Sequence, residues 1–249
     1  MSDKPARGGR RGREARKAQR ASTPVAVSPY IKRNIPCTQI LDEEGLQLIE
    51  ANADTILEET GIDFRGHARA LELWKEAGAD VDGERVRIPR GLAHKILKTA
   101  PREFTQHARN PARSVVIGGN NTVFAPVYGA PFVTDMERGR RYGTIEDFRD
   151  FVKLAYLEPN IHHSGGTVCE PVDLPVNKRH LDMVYSHMRW SDKAFMGSVT
   201  APERAADTVE MSGILFGKEF VDQNCVVINL INSNAPLVFD STMLGAAEV

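Results

Sequence analysis

A chain of 249 residues, 41% hydrophobic and 26% charged, has room for one large domain or two smaller ones and the composition of a soluble globular protein. Its net charge of −1 argues against a nucleic-acid enzyme, and no apolar run reaches the ~20 residues of a membrane-spanning helix. Cys37, Cys169 and Cys225 are far apart and form no CxxC pair, which argues against a disulfide framework or zinc ribbon and fits a reducing, cytoplasmic compartment.

Charge is concentrated at the start. Residues 1–33 carry ten Lys/Arg against Asp3 and Glu14 alone, leaving the remainder mildly acidic. No apolar stretch follows Arg10-Arg11, and large apolar side chains are nearly absent from residues 1–28. This predicts a disordered basic tail rather than a secretory signal.

Residues 42–60 predict a helix, with Asp42 as cap, Gly61 as stop, and Leu46, Ile49, Ala53, Ile56 and Leu57 on one inward face. A strand over Ile62–Phe64, a helix over His67–Ala77, a return strand at Val86 and Ile88, and a short helix over Arg90–Thr99 follow. Phe104–Ala108, Ser114–Ile117 and Thr122–Tyr128 read as strands, Phe132–Thr134 as extended, and Met136–Arg141 as a polar turn. Thr144 to Asp147 is a T-x-x-D capping pattern, and Phe148, Phe151, Val152 and Ala155 form the buried stripe of the helix it opens.

From there the order is regular. Strands are predicted over Ile161–Val168, Ala194–Val199 and Cys225–Ile231. Helices follow over Asn177–Trp190, from a Thr200-x-x-Glu203 capping box to about Phe216, and from Phe239 onward. In the second helix Leu181, Val184, Tyr185 and Met188 face inward. Strand starts about 32 residues apart match β/α units of a parallel sheet or barrel. The expected fold is therefore α/β: the N-terminal part of a TIM-type (β/α) barrel, truncated within the barrel, after a small α+β cap region. The expected division is a tail at 1–28, the cap region at 29–117, a Gly/Pro-rich joint at 118–144 and the first part of the barrel at 145–249.

In such a barrel the working residues lie at the C-terminal strand ends. These would be Thr167, Cys169 and Glu170, then Ser198 and Thr200, then Asn232, Ser233 and Asn234. They are mostly small and uncharged, which suits holding a ligand more than moving protons. Thr200 reads better as a helix cap, while Asn232 and Ser233 suit either role. Phe124, Tyr128 and Phe132 are spaced by four, and even spacing in an extended chain shares a face. Such rings can hold a quaternary ammonium by cation–π attraction, ~0.5–2 kcal/mol per contact. Plain hairpin packing explains the same spacing, and Gly129-Ala130-Pro131 can turn Phe132 away. His162 and His163 are adjacent, so in a strand they face opposite ways and read as core histidines rather than metal ligands. No metal site is expected, and no phosphate loop or nucleophile elbow is present in the sequence.

Four blocks carry a resemblance. They are IPCTQILDEEGLQLIEANADTILEETGIDF, GGNNTVFAPVYGAPFVTDMERGRRYGTIEDF, WSDKAFMGSVTAPE and VINLINSNAPLVFD. In this order they resemble the trimethylamine–corrinoid protein methyltransferase family over about residues 35–249. The resemblance implies a TIM-type barrel that moves a methyl group from an amine to the Co(I) of a corrinoid (cobalamin) carried by a separate partner protein, with no cofactor bound directly. It also implies chains roughly twice this length. Some family members carry an in-frame pyrrolysine and act on trimethylamine; others lack it and act on quaternary amines such as glycine betaine. On that basis Phe124 and Tyr128 are the expected cation cradle. Asn232 and Ser233 would orient a carboxylate or water, and Asp135 or Glu170 would offset the cation. No nucleic-acid or membrane partner is implied, and a homo-oligomer is left open. The alternative is a catalytically inactive piece that only binds a ligand or partner.

Overall fold

A computed structural model describes residues 31–36, 38–198, 200–234 and 236–249. The tail at 1–28, Cys37 and Val199 lie outside the described residues.

Asp42 opens helix α1 (Glu43–Thr55), its carboxylate accepting from the Gly45 N–H at 2.8 Å. A π-helical turn, Ile56–Thr60, continues it to Gly61. Gly61 has φ 73°, and a Cβ there would lie 2.5 Å from the Val86 carbonyl oxygen. Only glycine fits that approach. Strand β2 (Ile62–Phe64), helix α2 (Ala68–Ala77), strands β3 (Asp80–Asp82) and β4 (Arg85–Arg87), and helix α3 (Leu92–Leu97) follow. Phe64, Val86 and Ile88 are the buried centre, with Leu57, Leu71, Trp74 and Leu92 packed against them. The expected inward stripe of the first helix differs. Leu46 and Ile49 are exposed and no α1 residue is buried, because α2, α3 and the far end of the chain fill this core instead.

That far end returns as strand β12 (Val238–Phe239), which pairs parallel with β2 in the order β12-β2-β4-β3. Phe239 stacks on Phe64 with centroids 5.5 Å apart. The helix expected from Phe239 therefore starts two residues later, as Ser241–Glu248. Asp240 caps it, accepting from the Met243 N–H at 2.9 Å.

The middle of the chain is built from two-stranded pieces. Strand β1 (Ile31–Lys32) pairs with β7 (Asn121–Thr122), and β5 (Glu103–Gln106) pairs with β6 (Val115–Gly118). A hairpin joins β8 (Phe132–Asp135) to β9 (Gly139–Tyr142). Thus half of the stretch read as a polar turn is strand, and the expected strand over 122–128 forms ladder pairs only at Thr122.

Helix α4 (Ile145–Leu157) has the capping box read from the sequence. The Thr144 hydroxyl accepts from the Asp147 N–H at 3.3 Å, and the Asp147 carboxylate accepts from the Thr144 N–H at 2.9 Å. Phe148, Val152 and Ala155 are buried as expected. Thr144→Ala is expected to lower stability by about 1 kcal/mol, read as a shift of the urea midpoint at constant slope. At the other end of α4, the buried Lys193 ammonium donates to the carbonyls of Ala155, Glu158 and Ile161 at 2.7, 3.0 and 2.5 Å. Burial pulls its pKa down to about 8, yet it stays mostly charged at neutral pH, where the helix C-terminus favours a cation.

Helix α5 (Arg179–Trp190), strand β10 (Phe195–Met196), helices α6 (Pro202–Phe216) and α7 (Lys218–Gln223), and strand β11 (Val227–Ile228) complete the chain before β12. On α5, Val184 and Met188 are buried, but Leu181 and Tyr185 are exposed and Met183, His180 and His187 take inward places. Strands β10 and β11 pair in parallel. Three expectations change here. The stretch 161–168 forms no strand, because Gly165 at φ 89° breaks the extended path. It still lies along β10: Ser164 N–H donates to the Ala194 carbonyl and Met196 N–H to the Gly165 carbonyl, both at 2.8 Å. The strands at 194–199 and 225–231 shrink to two residues each. The Thr200 capping box does not form: Ala201 is the N-cap residue of α6, and Thr200 Oγ1 accepts from Arg204 instead. The class is mixed α/β, and no closed barrel is present among the described residues.

Candidate functional site

Residues 124–131 run as a strap beside 162–170 without joining a sheet. His162 and His163 N–H groups donate to the Phe124 carbonyl at 2.9 and 3.1 Å, Gly129 N–H to Thr167 O at 2.7 Å, and Glu170 N–H to Ala130 O at 2.9 Å. Alternate strap residues share a side, as an extended chain requires. The Phe124 ring stacks on His162 with centroids 5.9 Å apart, Pro126 contacts Gly165, and Tyr128 lies on Gly166. A Cβ on Gly166 would come within 2.7 Å of the Tyr128 ring and 3.0 Å of Met196 Cβ. Glycine here lets the ring rest on the backbone, beside the end of β10. Phe124 and Tyr128 remain about half exposed. Beside the strap an apolar groove of about 540 Å³ runs toward α4, lined among others by Pro126, Val127, Phe132, Phe151 and Leu154.

Buried polar groups fix the segment beneath the strap. His163 Nδ1 accepts from the Gly165 N–H at 2.9 Å, so its Nε2–H donates to Gln106 Oε1 at 3.1 Å. The Gln106 amide then donates to the Phe195 carbonyl at 2.8 Å and toward the Val226 carbonyl at 3.4 Å. One glutamine thus joins 163–165, β10 and the start of β11. His187 Nε2–H donates to the Gly166 carbonyl at 2.8 Å, which leaves Nδ1 to accept from the Ser164 hydroxyl at 2.7 Å. Both rings are therefore neutral with fixed tautomers, and burial draws each pKa down to about 4. The Ser164–His187 pair resembles a nucleophile and base, but both are fully buried and the ring's other nitrogen meets a backbone carbonyl. It is a structural clasp.

Shortened strands move the strand ends. The first residues past the ends of the three parallel segments are Gly166, Gly197 and Asn229. Gly197 N–H donates to the Ile228 carbonyl at 3.0 Å, tying the tips of β10 and β11 together. A Cβ on Gly197 would collide with Asn229 Oδ1 and lie 2.6 Å from the Thr208 methyl. Tyr128, Gly166, Met196, Gly197 and Asn229 thus form one continuous row across the strand ends. Sequence reading placed Asn229 inside a strand and missed it. The signal was a lone polar residue inside VVINLI.

The other sequence candidates are placed as follows. Asn232 and Ser233 are exposed in the irregular segment after β11, three and four residues beyond Asn229. The Asp135 carboxylate accepts from the Glu137 and Arg138 N–H groups and pairs with Arg138 and Arg141, which hold it below the usual carboxylate range. Glu170 is ion-paired with Arg179. Phe132 lies under the Arg140 guanidinium at 3.9 Å, so its cation-binding face is already filled. Burial pushes the Cys169 thiol up to about 12, which keeps it protonated and unreactive. Among the described residues no cluster of three His, Cys, Asp or Glu could hold a metal, and no helix is long and apolar enough to cross a membrane.

The profile of the family described as trimethylamine methyltransferase (MTTB) matches residues 9–249. A glycine betaine methyltransferase of Desulfitobacterium hafniense (strain Y51) is 48% identical over 213 residues, covering 85% of this chain and 44% of the relative. A proline betaine:corrinoid methyltransferase of Eubacterium limosum is 27% identical over 173 residues, covering 68% of this chain and 35% of the relative. The chain spans less than half the length of these relatives.

Proposed function

The chain belongs to the trimethylamine methyltransferase family, and from that premise we propose that the protein moves a methyl group from a carboxylated quaternary amine, such as glycine betaine, to the Co(I) of a separate corrinoid protein. The relatives named for glycine betaine and proline betaine support the substrate class. The observation that carries the reading is the Tyr128 ring on the Gly166 backbone at the parallel strand ends, half exposed beside Met196. In this reading the segment 163–165 and strands β10 and β11 open a β/α barrel behind the α+β cap region, and the strap is one wall of its working face.

The reaction asks little of acid–base groups. The Co(I) electron pair attacks the methyl carbon, the N–CH3 bond breaks, and its pair stays on nitrogen. A neutral tertiary amine leaves and methyl-Co(III) forms. No proton has to move, so the protein's task is to hold the cation and aim one methyl group outward. Tyr128 and Phe124 supply aromatic faces for the cation. Asp135 and Glu170 are committed to arginines, so the cradle in this reading is aromatic and neutral.

Mixing the protein with a reduced corrinoid protein and glycine betaine, choline or trimethylamine tests the proposal. Methyl-Co(III) is expected in the visible spectrum with glycine betaine, and Tyr128→Ala should lower kcat/KM roughly 2- to 30-fold, the equivalent of one lost cation–π contact. No spectral change with any amine of the panel would overturn the reading.

A further inference from the structure

We propose that Asn229 is the residue that orients the carboxylate of the substrate, donating from Nδ2, and that Gly197 sets its pose. The inference rests on the reading above and names the group that would distinguish a betaine from an uncarboxylated quaternary amine.

Asn229 directly follows β11, so it stands at the C-terminal end of a parallel strand, where ligands meet such sheets. Gly197 fixes it from one side. The glycine backbone is bound to the Ile228 carbonyl, and Asn229 Oδ1 lies where a Cβ of residue 197 would be. Thr208 closes the other side of Gly197 and cannot yield. It is fully buried, accepts from the Ser198 N–H at 3.2 Å, and donates to the Arg204 carbonyl at 2.9 Å. With Oδ1 turned onto Gly197, the planar amide directs Nδ2 away from it. No hydrogen bond engages that amide among the described residues.

The chemistry matches a zwitterion. A neutral amide donor binds a carboxylate without placing a second positive charge beside the ammonium, as an arginine would. The charged side chains assessed above, Asp135 and Glu170, are paired elsewhere. The row from Tyr128 to Asn229 therefore offers an aromatic face at one end and an N–H donor at the other, with two glycines between them that add no side chain to the floor.

The test is calorimetric binding of glycine betaine and of choline, which shares the trimethylammonium group but has no carboxylate, to the wild-type protein and three variants. The wild type should prefer glycine betaine. Asn229→Ala should reduce the ratio of the two affinities about tenfold, and Asn229→Gln should restore part of it. Gly197→Ala, which displaces the amide without removing it, should reduce the ratio in the same direction, with folding of each variant checked by its melting curve. An unchanged ratio in Asn229→Ala would overturn the assignment while leaving the methyltransferase reading in place. A wild type that binds neither ligand would overturn both.

Discussion

Phe148→Ala is expected to remove about 3–5 kcal/mol of stability. The ring is fully buried at the centre of a cluster with Val133, Ile145, Val152, Val168, Cys169 and Met183. That cluster presses α4 onto α5 and onto the segment beneath the strap. The ring also stands edge-on to His187, with centroids 5.3 Å apart at 76°. Truncation therefore leaves a void and unshields a histidine held by one hydrogen bond on each nitrogen. His187 is fixed by its bonds to the Ser164 hydroxyl and the Gly166 carbonyl, so it cannot move freely into the cavity. Since whole domains are stable by only about 5–15 kcal/mol, the variant should unfold at a much lower urea concentration. A loss below about 1 kcal/mol would contradict the packing of α4 described above.

The second large effect is on acid stability. His163 and His187 both have pKa values drawn down from 6.5 to about 4, chiefly by burial; the nearby His187 adds to the effect on His163. The unfolded chain binds protons at these positions below about pH 6.5, and the folded chain does so only near pH 4. Stability is therefore fully present above pH 6.5 and falls as pH drops toward 4, by about 1.4 kcal/mol per pH unit per histidine in that window. At pH 4.5 the two together should remove on the order of 5 kcal/mol. Asp147 acts in a separate window. Its carboxyl is held low by Arg141 and the Thr144 cap, so its contribution fades only as pH falls below the ordinary carboxylate range. Urea unfolding at pH 7.5, 5.5 and 4.5 should show the histidine loss already at 5.5. Equal stability at 7.5 and 4.5 would contradict the neutral, buried tautomers.

Some local signals in the sequence are realised and others are not: the Thr200 capping pattern does not form and the apolar stripe of α1 stays exposed. The α4 capping box and its Phe148–Val152–Ala155 stripe are readable because all the partners lie within one helix. The first parallel segment is harder. Its place is set by Gln106, far away in the chain, and its path by Gly165 at positive φ. Strand lengths of two residues carry no alternation to read, so the apolar run CVVINLI points to a strand end at Asn232, three residues beyond Asn229. The pairing of β12 with β2 joins residues 63 and 238, and no local pattern announces it. Of the aromatic trio, the even spacing of Phe124 and Tyr128 corresponds to a shared side of the strap. Phe132 is set apart, but by Arg140 over its ring rather than by the Gly-Ala-Pro break alone.

The central claim is that a carboxylated quaternary amine rests on the strand ends beneath the strap. Titrating isotopically labelled protein with glycine betaine and following the backbone amide resonances tests it directly. The account predicts saturable shifts concentrated at Tyr128, Gly166, Gly197 and Asn229. Absent shifts, or shifts confined to the apolar groove between the strap and α4, would contradict it.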